Sequence, residues 1–505
     1  MRMKKKMYSL LLLLGILWSA TLCAQVTADP DSVIVGRYFE TIRQDENRLR
    51  QFFAQMPKGG DLHNHLTGSA YAETYFRLAA EDMLWVDMTT GKLYQAKAPG
   101  LIQLSPNMKN LHNTRMALID KWSVRNFNPE KFSLGPDEYF FGTFGLFGAV
   151  TGKHNAELMR ELRERAAYEN VQYLEIMVSS PGINAQKIDE FCGTGFFDKY
   201  NTLLLKAIQE DAKNPGKQDS TTKILNEIYS KWYQSKKFNQ FSKEYVKQIN
   251  SINDQSAISS NLPLCYYQSY ASRNSDPLVV FAQLYVAYLS CLEKDSKVVG
   301  VNIVAAENGE VSIRDYTAHM KMFNLLDAKT TKPVNTSLHA GELTLGLVEP
   351  ENMRHHINEA VFTAKAKRIG HGVDIAFEEE SIQLLNEMKR RRTAVEINLT
   401  SNEFILGVKN NAHPFMLYRK AGVPVVISTD DPGILRTNLT QQYVLAAMRY
   451  GLSYYEIKEL VRNSIRYGFM PANVKQNLAR VLESKFADFE KKWRGNAKII
   501  STWRN

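Results

Sequence analysis

Short runs of β-branched and apolar residues alternate along this chain with longer stretches in which apolar residues recur at helical spacing. The runs predict eight strands: Gly60 to Leu66, Val171 to Val178, Leu262 to Tyr267, Val298 to Ala305, Asn335 to His339, Arg368 to Val373, Ala394 to Leu399 and Val423 to Ser428. Helical patterns separate most of them, as in Asn155 to Tyr168, Leu278 to Leu292 and Ile382 to Arg390. Near-continuous apolar strands divided by helices are what a parallel sheet covered on both faces requires. Eight such units predict an α/β chain closed as a (β/α)8 TIM barrel, with its chemistry at the carboxyl ends of the strands.

Two stretches are too long for compact units. Residues 80–135 follow the first strand and its short helix, and residues 183–258 separate the second strand from the third. The latter is polar and helical, over Lys223 to Lys237 and Phe241 to Asn250. Both are expected to be insertions on the face where the loops after the strands emerge. They would serve there as a lid or wall over a site, or as surface elaboration, or as a contact between two copies of the chain.

The first 24 residues do not read as part of the fold. Arg2, Lys4, Lys5 and Lys6 precede an apolar core from Leu10 to Trp18, and small residues follow around Ala20 to Ala24. That order of charge, apolar core and small residues is a secretory signal, too short to span a bilayer. Cleavage is expected after Ala24, with residues 25–55 as an extension ahead of a barrel at 56–505. A lipoprotein signal with Cys23 lipidated is the alternative. Either implies export, to the periplasm or beyond, and no other segment is apolar enough to cross a membrane.

Losing the four cations of that segment lowers the formal charge from +10 to +6, a mild excess for a chain this size. The densest basic run, Lys389-Arg390-Arg391-Arg392, precedes an apolar strand, which suits a solvated helix end where cations complement the dipole. No aromatic residue interleaves it, so it lacks the stacking platform of a single-strand nucleic-acid binder. Cys192, Cys265 and Cys291 permit at most one disulfide, and no Cys-x-x-Cys exists, which argues against thiolate zinc ligation.

The chemistry concentrates at predicted strand ends. His63 and His65 are two apart, so on a strand they point to the same side and can share one ion. His339 ends another strand, and Asp430 ends the last. Three imidazoles and one carboxylate suit a zinc ion with an open position for water. Glu342, three after His339, lies where that strand has become a loop. Desolvation there raises a carboxyl pKa, which suits a proton donor. His371, between Gly370 and Gly372, can orient or deprotonate a water. Asp431, beside Asp430, can face a substrate, although Asp-Asp-Pro alone is also an ordinary turn.

Together, Met56-Pro57-Lys58-Gly59-Gly60-Asp61-Leu62-His63-Asn64-His65-Leu66, His339-Ala340-Gly341-Glu342, Arg368-Ile369-Gly370-His371-Gly372 and Ser428-Thr429-Asp430-Asp431-Pro432 resemble the motifs of the adenosine deaminase family, in the same order. The resemblance covers about residues 56–450. With its signal, extension and long insertions, the chain is more similar to the secreted, growth-factor-related branch than to the compact one. The resemblance implies a barrel with one zinc ion that hydrolyses the 6-amino group of adenosine. His63, His65, His339 and Asp430 would hold zinc, Glu342 would protonate purine N1, and His371 and Asp430 would manage the water. Asp431 would hold N7. The implied partner is a purine nucleoside, not a nucleic acid.

The chain departs from the family pattern in places. Thr67 stands where the compact enzymes carry an Asp for the ribose 5′-hydroxyl. Asn302-Ile303-Val304-Ala305 replaces Asp-Leu-x-Gly, so Ala305 stands where a Gly directs its N–H toward purine N3. Leu399 replaces a Pro. None of these removes a metal ligand or the acid. They bear on sugar recognition and leave open a deaminase of another aminopurine or of a 5′-modified adenosine. A hydrolase of the wider metal-dependent barrel group is less favoured, because no Lys between Val298 and Ala305 could bridge two metals. A nucleoside-binding protein without turnover would most simply lack one of the ligands or the acid, and all are present.

Overall fold

The computed structural model describes residues 30–180, 182–216 and 219–500. The signal-like segment, with Cys23 and the expected cleavage position, lies outside them. All eight predicted strands are found: β1 (Lys58–His65), β2 (Val171–Ser179), β3 (Leu264–Ser272), β4 (Val298–Val304), β5 (Ser337–Ala340), β6 (Arg368–His371), β7 (Ala394–Ile397) and β8 (Val425–Ile427). They pair in parallel as two sheets, β1 to β4 and β5 to β8, each in chain order. Two bridges close the ring. Val301 meets Thr336 between β4 and β5, and Asn64 meets Asp430 between β1 and the end of β8. A parallel ring of this kind is the (β/α)8 barrel.

β3 runs several residues beyond its predicted end because its second half is polar yet buried. Gln268 faces the barrel interior, where it donates to Glu175 (2.9 Å) and accepts from Asn302 (3.0 Å), while Ser269 faces the helical layer, where it meets Ser180 (2.9 Å) and the hydroxyl of Tyr245 (3.1 Å). Polar residues that read as a loop are here satisfied by buried partners. Beneath them, the buried guanidinium of Arg368 pairs with both Glu175 and Glu396. It also lies over the ring of Phe469, 3.7 Å from its centroid.

The first excursion holds a small three-stranded sheet (Trp85–Val86, Leu93–Tyr94, Ile102–Gln103) and the helices Leu111–Lys121 and Pro136–Thr143. It continues past residue 135, to the helix Asn155–Tyr168. Its Phe147 stacks on Tyr75 of the helix Ala72–Glu81, with centroids 4.2 Å apart. The second excursion differs from expectation. Its last helix, Lys236–Ser256, packs between Asn155–Tyr168 and Pro277–Leu292, which is the place of the barrel's own crossover helix. Only the helices Ala185–Cys192, Phe196–Lys213 and Ser220–Gln234 are added, and they lie on the helical layer.

Residues 30–55 form two helices, Pro30–Ile42 and Glu46–Gln55. Phe39, Phe52 and Phe53 pack there with Tyr454, Phe489 and Trp493, tying the extension to the helix Ala472–Ile500. The run at Lys389–Arg392 ends the helix Ser381–Arg391, where Arg390 and Arg391 pair with Glu387. Cys192, Cys265 and Cys291 are free thiols. Among the described residues no helix is long and apolar enough to cross a membrane.

Arg368→Met would leave the carboxylates of Glu175 and Glu396 buried without their counter-ion. The expected cost is about 3–5 kcal/mol, read as a lower urea midpoint at unchanged slope. An unaltered midpoint would contradict the pairing.

Candidate metal centre

The closing seam of the barrel is where the candidate residues meet. The N–H of Asp430 donates to the carbonyl of His63 (2.8 Å), and the N–H of His65 donates to the carbonyl of Asp430 (3.1 Å). Asp61 holds the preceding residue by accepting from the backbone N–H of Thr429 (3.2 Å) and from its hydroxyl (2.5 Å). Asp430 itself has a left-handed backbone, φ 66°. Such strain in a non-glycine residue persists only where the surroundings over-determine it.

The side chains converge accordingly. Nε2 of His63 and Nε2 of His65 each lie 3.3 Å from Asp430 Oδ1, and Nε2 of His65 lies 3.2 Å from Nε2 of His339. A tetrahedron of ligands about 2.0 Å from a central ion has edges of about 3.3 Å. Nε2 of His63 is buried and has no hydrogen-bond partner. The far sides of two rings are already engaged. His63 Nδ1 lies 2.6 Å from Glu396 Oε2, and His339 Nδ1 lies 3.0 Å from Asn302 Oδ1. Donating from Nδ1 leaves the Nε2 lone pair of each facing the cluster, the arrangement that carboxylate and carbonyl partners impose on metal-binding histidines. Ser401 donates to Asp430 Oδ2 at 2.6 Å, which leaves Oδ1 inward. The donor set fits a divalent cation such as zinc. His371 also has a ring nitrogen within 4.8 Å of donor atoms of His63, His339 and Asp430.

The electrostatics follow from burial. Desolvation disfavours a charge on His63, but Asp430 and Glu396 outweigh it and lift its pKa to about 10. The two carboxylates thus call for positive charge at that point, a proton or a cation. Burial holds His339 well below its usual range, and His63 and His65 add to the effect. Burial would raise Asp430, but the rings of His63 and His65 against its carboxylate keep it well below the usual carboxylate range. Burial raises Glu342 well above that range, and the charges of Asp430 and Glu307 reinforce it. Glu342 therefore keeps its proton. Asp431 is raised in the same way by burial and by Asp430.

Glu342 is held from behind. Its backbone N–H and that of Gly341 donate to the two oxygens of Glu307, at 2.9 and 3.0 Å. Glu307 in turn faces His356 (2.5 Å) and Arg273 (3.5 Å). Burial pushes the Glu307 carboxyl up, but Arg273 and His356 bring it down to about 2. Asp431 packs on Gly68, where an added Cβ would fall 1.5 Å from Oδ1, and that oxygen is buried without a partner.

Above these groups opens a cavity of about 520 Å³. His65, His339, Glu342, His371, Asp430 and Asp431 line its floor, with Thr67, Tyr270 and Ala305 around them. Phe140, Phe141, Phe144 and Phe147 form one wall, and none of the described lining residues is Lys or Arg. A wall from the first excursion is one of the roles the sequence suggests, but these Phe residues, beyond residue 135, lie outside the stretch expected to supply it. Their signal was present as aromatic residues at helical spacing. None of the described residues of the second excursion lines the cavity. Glu307 and Asn302 also went unread as site residues, because their partners are distant in the chain.

Ala305 has φ 89°, where a Cβ is unfavourable. Ala305→Gly is expected to stabilise the fold by about 1 kcal/mol, seen as a raised denaturation midpoint. A lowered midpoint would contradict the strain.

Comparison with known proteins is consistent with this geometry. Residues 281–485 match the family model described as adenosine deaminase. An aminodeoxyfutalosine deaminase of Streptomyces coelicolor is 33% identical over 147 residues, covering 29% of this chain and 35% of the relative. The chain therefore spans about a third of that curated relative's length. An adenosine deaminase of Lutzomyia longipalpis is 23% identical over 473 residues, covering 88% of this chain and 80% of the relative. A crystal structure of Arabidopsis ADAL complexed with IMP superposes with a TM-score of 0.55 at 20% identity, covering 87% of this chain and 99% of that one. The structural likeness shows the barrel fold, and the sequence matches support the adenosine deaminase family.

Proposed function

We propose that this chain, set within the adenosine deaminase family, is a metal-dependent hydrolase of the 6-amino group of a purine nucleoside. Adenosine and 2′-deoxyadenosine would yield inosine-type products and ammonia. The observation that supports this most is the meeting of three imidazole Nε2 atoms and Asp430 beneath a buried, protonated Glu342. His63, His65, His339 and Asp430 would hold one zinc ion, which would supply a water of lowered pKa. Glu342 gives its proton to purine N1, making C6 electrophilic. His371 orients the water that adds to C6, Asp430 takes one of its protons and passes it to the amino nitrogen as the C6–N bond breaks and ammonia leaves, and the proton remaining on the new C6 hydroxyl returns to Glu342. Asp431 would hold N7, and the N–H of Ala305 would meet N3.

Glu342→Gln keeps the shape and loses the transferable proton. Ammonia release should fall about 10²–10⁴-fold while the variant still binds nucleoside. Activity within tenfold of the parent would remove Glu342 from this role. Nucleoside binding by the parent protein without any ammonia release would favour the binding reading instead.

The side of the cavity beyond the ring supports a broad 5′ range. Thr67 and four Phe side chains offer neither a carboxylate for a 5′-hydroxyl nor a cation for a phosphate. A neutral site gains less from one hydroxyl than a buried carboxylate that would be left unpaired. Adenosine and 5′-deoxyadenosine should differ by less than about tenfold in kcat/KM, and AMP should be a far poorer substrate than either. A preference for adenosine of several orders of magnitude, or faster turnover of AMP, would overturn this. Export through residues 1–24 with cleavage after Ala24 belongs to the same reading, as does kinship with the secreted branch. It suits capture of nucleosides outside the cytoplasm.

A further inference from the structure

His371 is tied to a backbone amide by a chain of three buried hydrogen bonds. The N–H of Phe415 donates to His413 Nδ1 at 3.1 Å. His413 Nε2 lies 3.0 Å from Asn402 Oδ1, and Asn402 Nδ2 lies 2.9 Å from His371 Nδ1. His413, Asn402 and His371 are 3%, 0% and 1% exposed, so water does not compete for these partners.

The direction of the chain is set at its far end. A backbone N–H can only donate, so His413 Nδ1 accepts and carries no proton. Burial, helped by Arg449, lowers the pKa of His413 to about 4, which keeps the ring neutral. Its single proton is then on Nε2 and is donated to Asn402. Asn402 must turn its oxygen to His413 and its NH2 to His371. The amide orientation is thus forced by the main chain rather than chosen. Nδ1 of His371 accepts, and the proton of the neutral ring is left on Nε2.

We propose that Asn402 and His413 are positioning residues that hold His371 as its Nε2–H tautomer, so that it meets the reacting water as a hydrogen-bond donor. Glu342 is compatible with this arrangement. Its Oε1 is 3.5 Å from His371 Nδ1, farther than Asn402, and as a protonated acid it needs no donor there. His371 also has a left-handed backbone, φ 69°. The inference rests on the proposed deaminase reading only for the role of the water; the tautomer itself does not depend on it.

Asn402→Asp tests the chain with almost no change of shape. The new carboxylate can accept from His413, but it then presents an acceptor to His371 Nδ1 and draws the proton there. The measurement is 15N NMR of the histidine rings in the full-length protein, with the His371 signals identified by their loss in His371→Gln. In the parent protein His371 should show an unprotonated Nδ1 and a protonated Nε2. In Asn402→Asp the Nδ1 should become protonated, with kcat down about 10²–10⁴-fold and KM within a few-fold. His413→Phe, which frees Asn402 to rotate, should give a mixed tautomer signal and a smaller loss in kcat. A protonated Nδ1 in the parent protein overturns the proposal whether or not any purine is turned over. If Asn402→Asp does not fold, the parent spectrum and His413→Phe decide it. If it folds, shifts the tautomer and leaves kcat unchanged, the catalytic half of the proposal fails. Absence of turnover with every aminopurine, together with the expected tautomer, would count against the deaminase reading alone.

Discussion

The peptide of Asp430 donates to the carbonyl of His63 and accepts from the N–H of His65, and these bonds join the last strand to the first. Closing the barrel and assembling the candidate metal centre are therefore one event. A parallel ring has no hairpin to fix its register, so the seam must be specified by side chains. Asp61 does this by gripping Thr429, and Asn64 adds a bond to the same hydroxyl at 3.0 Å. The left-handed backbone at Asp430 is the local cost of bringing a carboxylate to the mouth at the point where the strands meet.

A concentration of buried charge needs support from every side, and the structure provides it from below and behind. Below, Glu396 is shared between Arg368 and His63, so one carboxylate both neutralises the barrel's interior guanidinium and sets a ring tautomer. Behind, Glu307 holds the peptides of Gly341 and Glu342 and is itself held by His356 and Arg273. Asn302 holds His339 where the family pattern has an Asp. A neutral amide orients that ring without adding negative charge, which makes the imidazole a weaker donor than a carboxylate partner would. All of these carboxyls are buried, yet Glu342 and Asp431 are pushed up while Glu307, Glu396 and Asp430 are held down, because their neighbours differ.

Much of this could be read from the chain. All eight strands, the parallel barrel and the residues that meet at its mouth lay in local patterns: period-two spacing for His63 and His65, and strand ends for His339 and Asp430. What could not be read depended on partners far apart in the chain. Glu396 reaches His63 across 333 positions, and Glu307 reaches the Glu342 amide across 35. The polar end of β3 looked like a loop because its buried hydrogen bonds were invisible. The helix Lys236–Ser256 looked like an insertion because its polar outer face hid its place in the barrel wall. The residues of the Phe140 to Phe147 wall were missed for the opposite reason, since an aromatic stripe reads as core, and here part of it faces a cavity.

On the proposed reading, one divalent cation held at the barrel's closing seam makes this chain a deaminase. The most direct test is ammonia release from adenosine by protein stripped with a chelator, followed as zinc is added back in measured amounts. The account predicts no activity in the stripped protein and a linear recovery that levels off at one zinc per chain. Activity that survives removal of the metal, or that needs a second equivalent to appear, would contradict it.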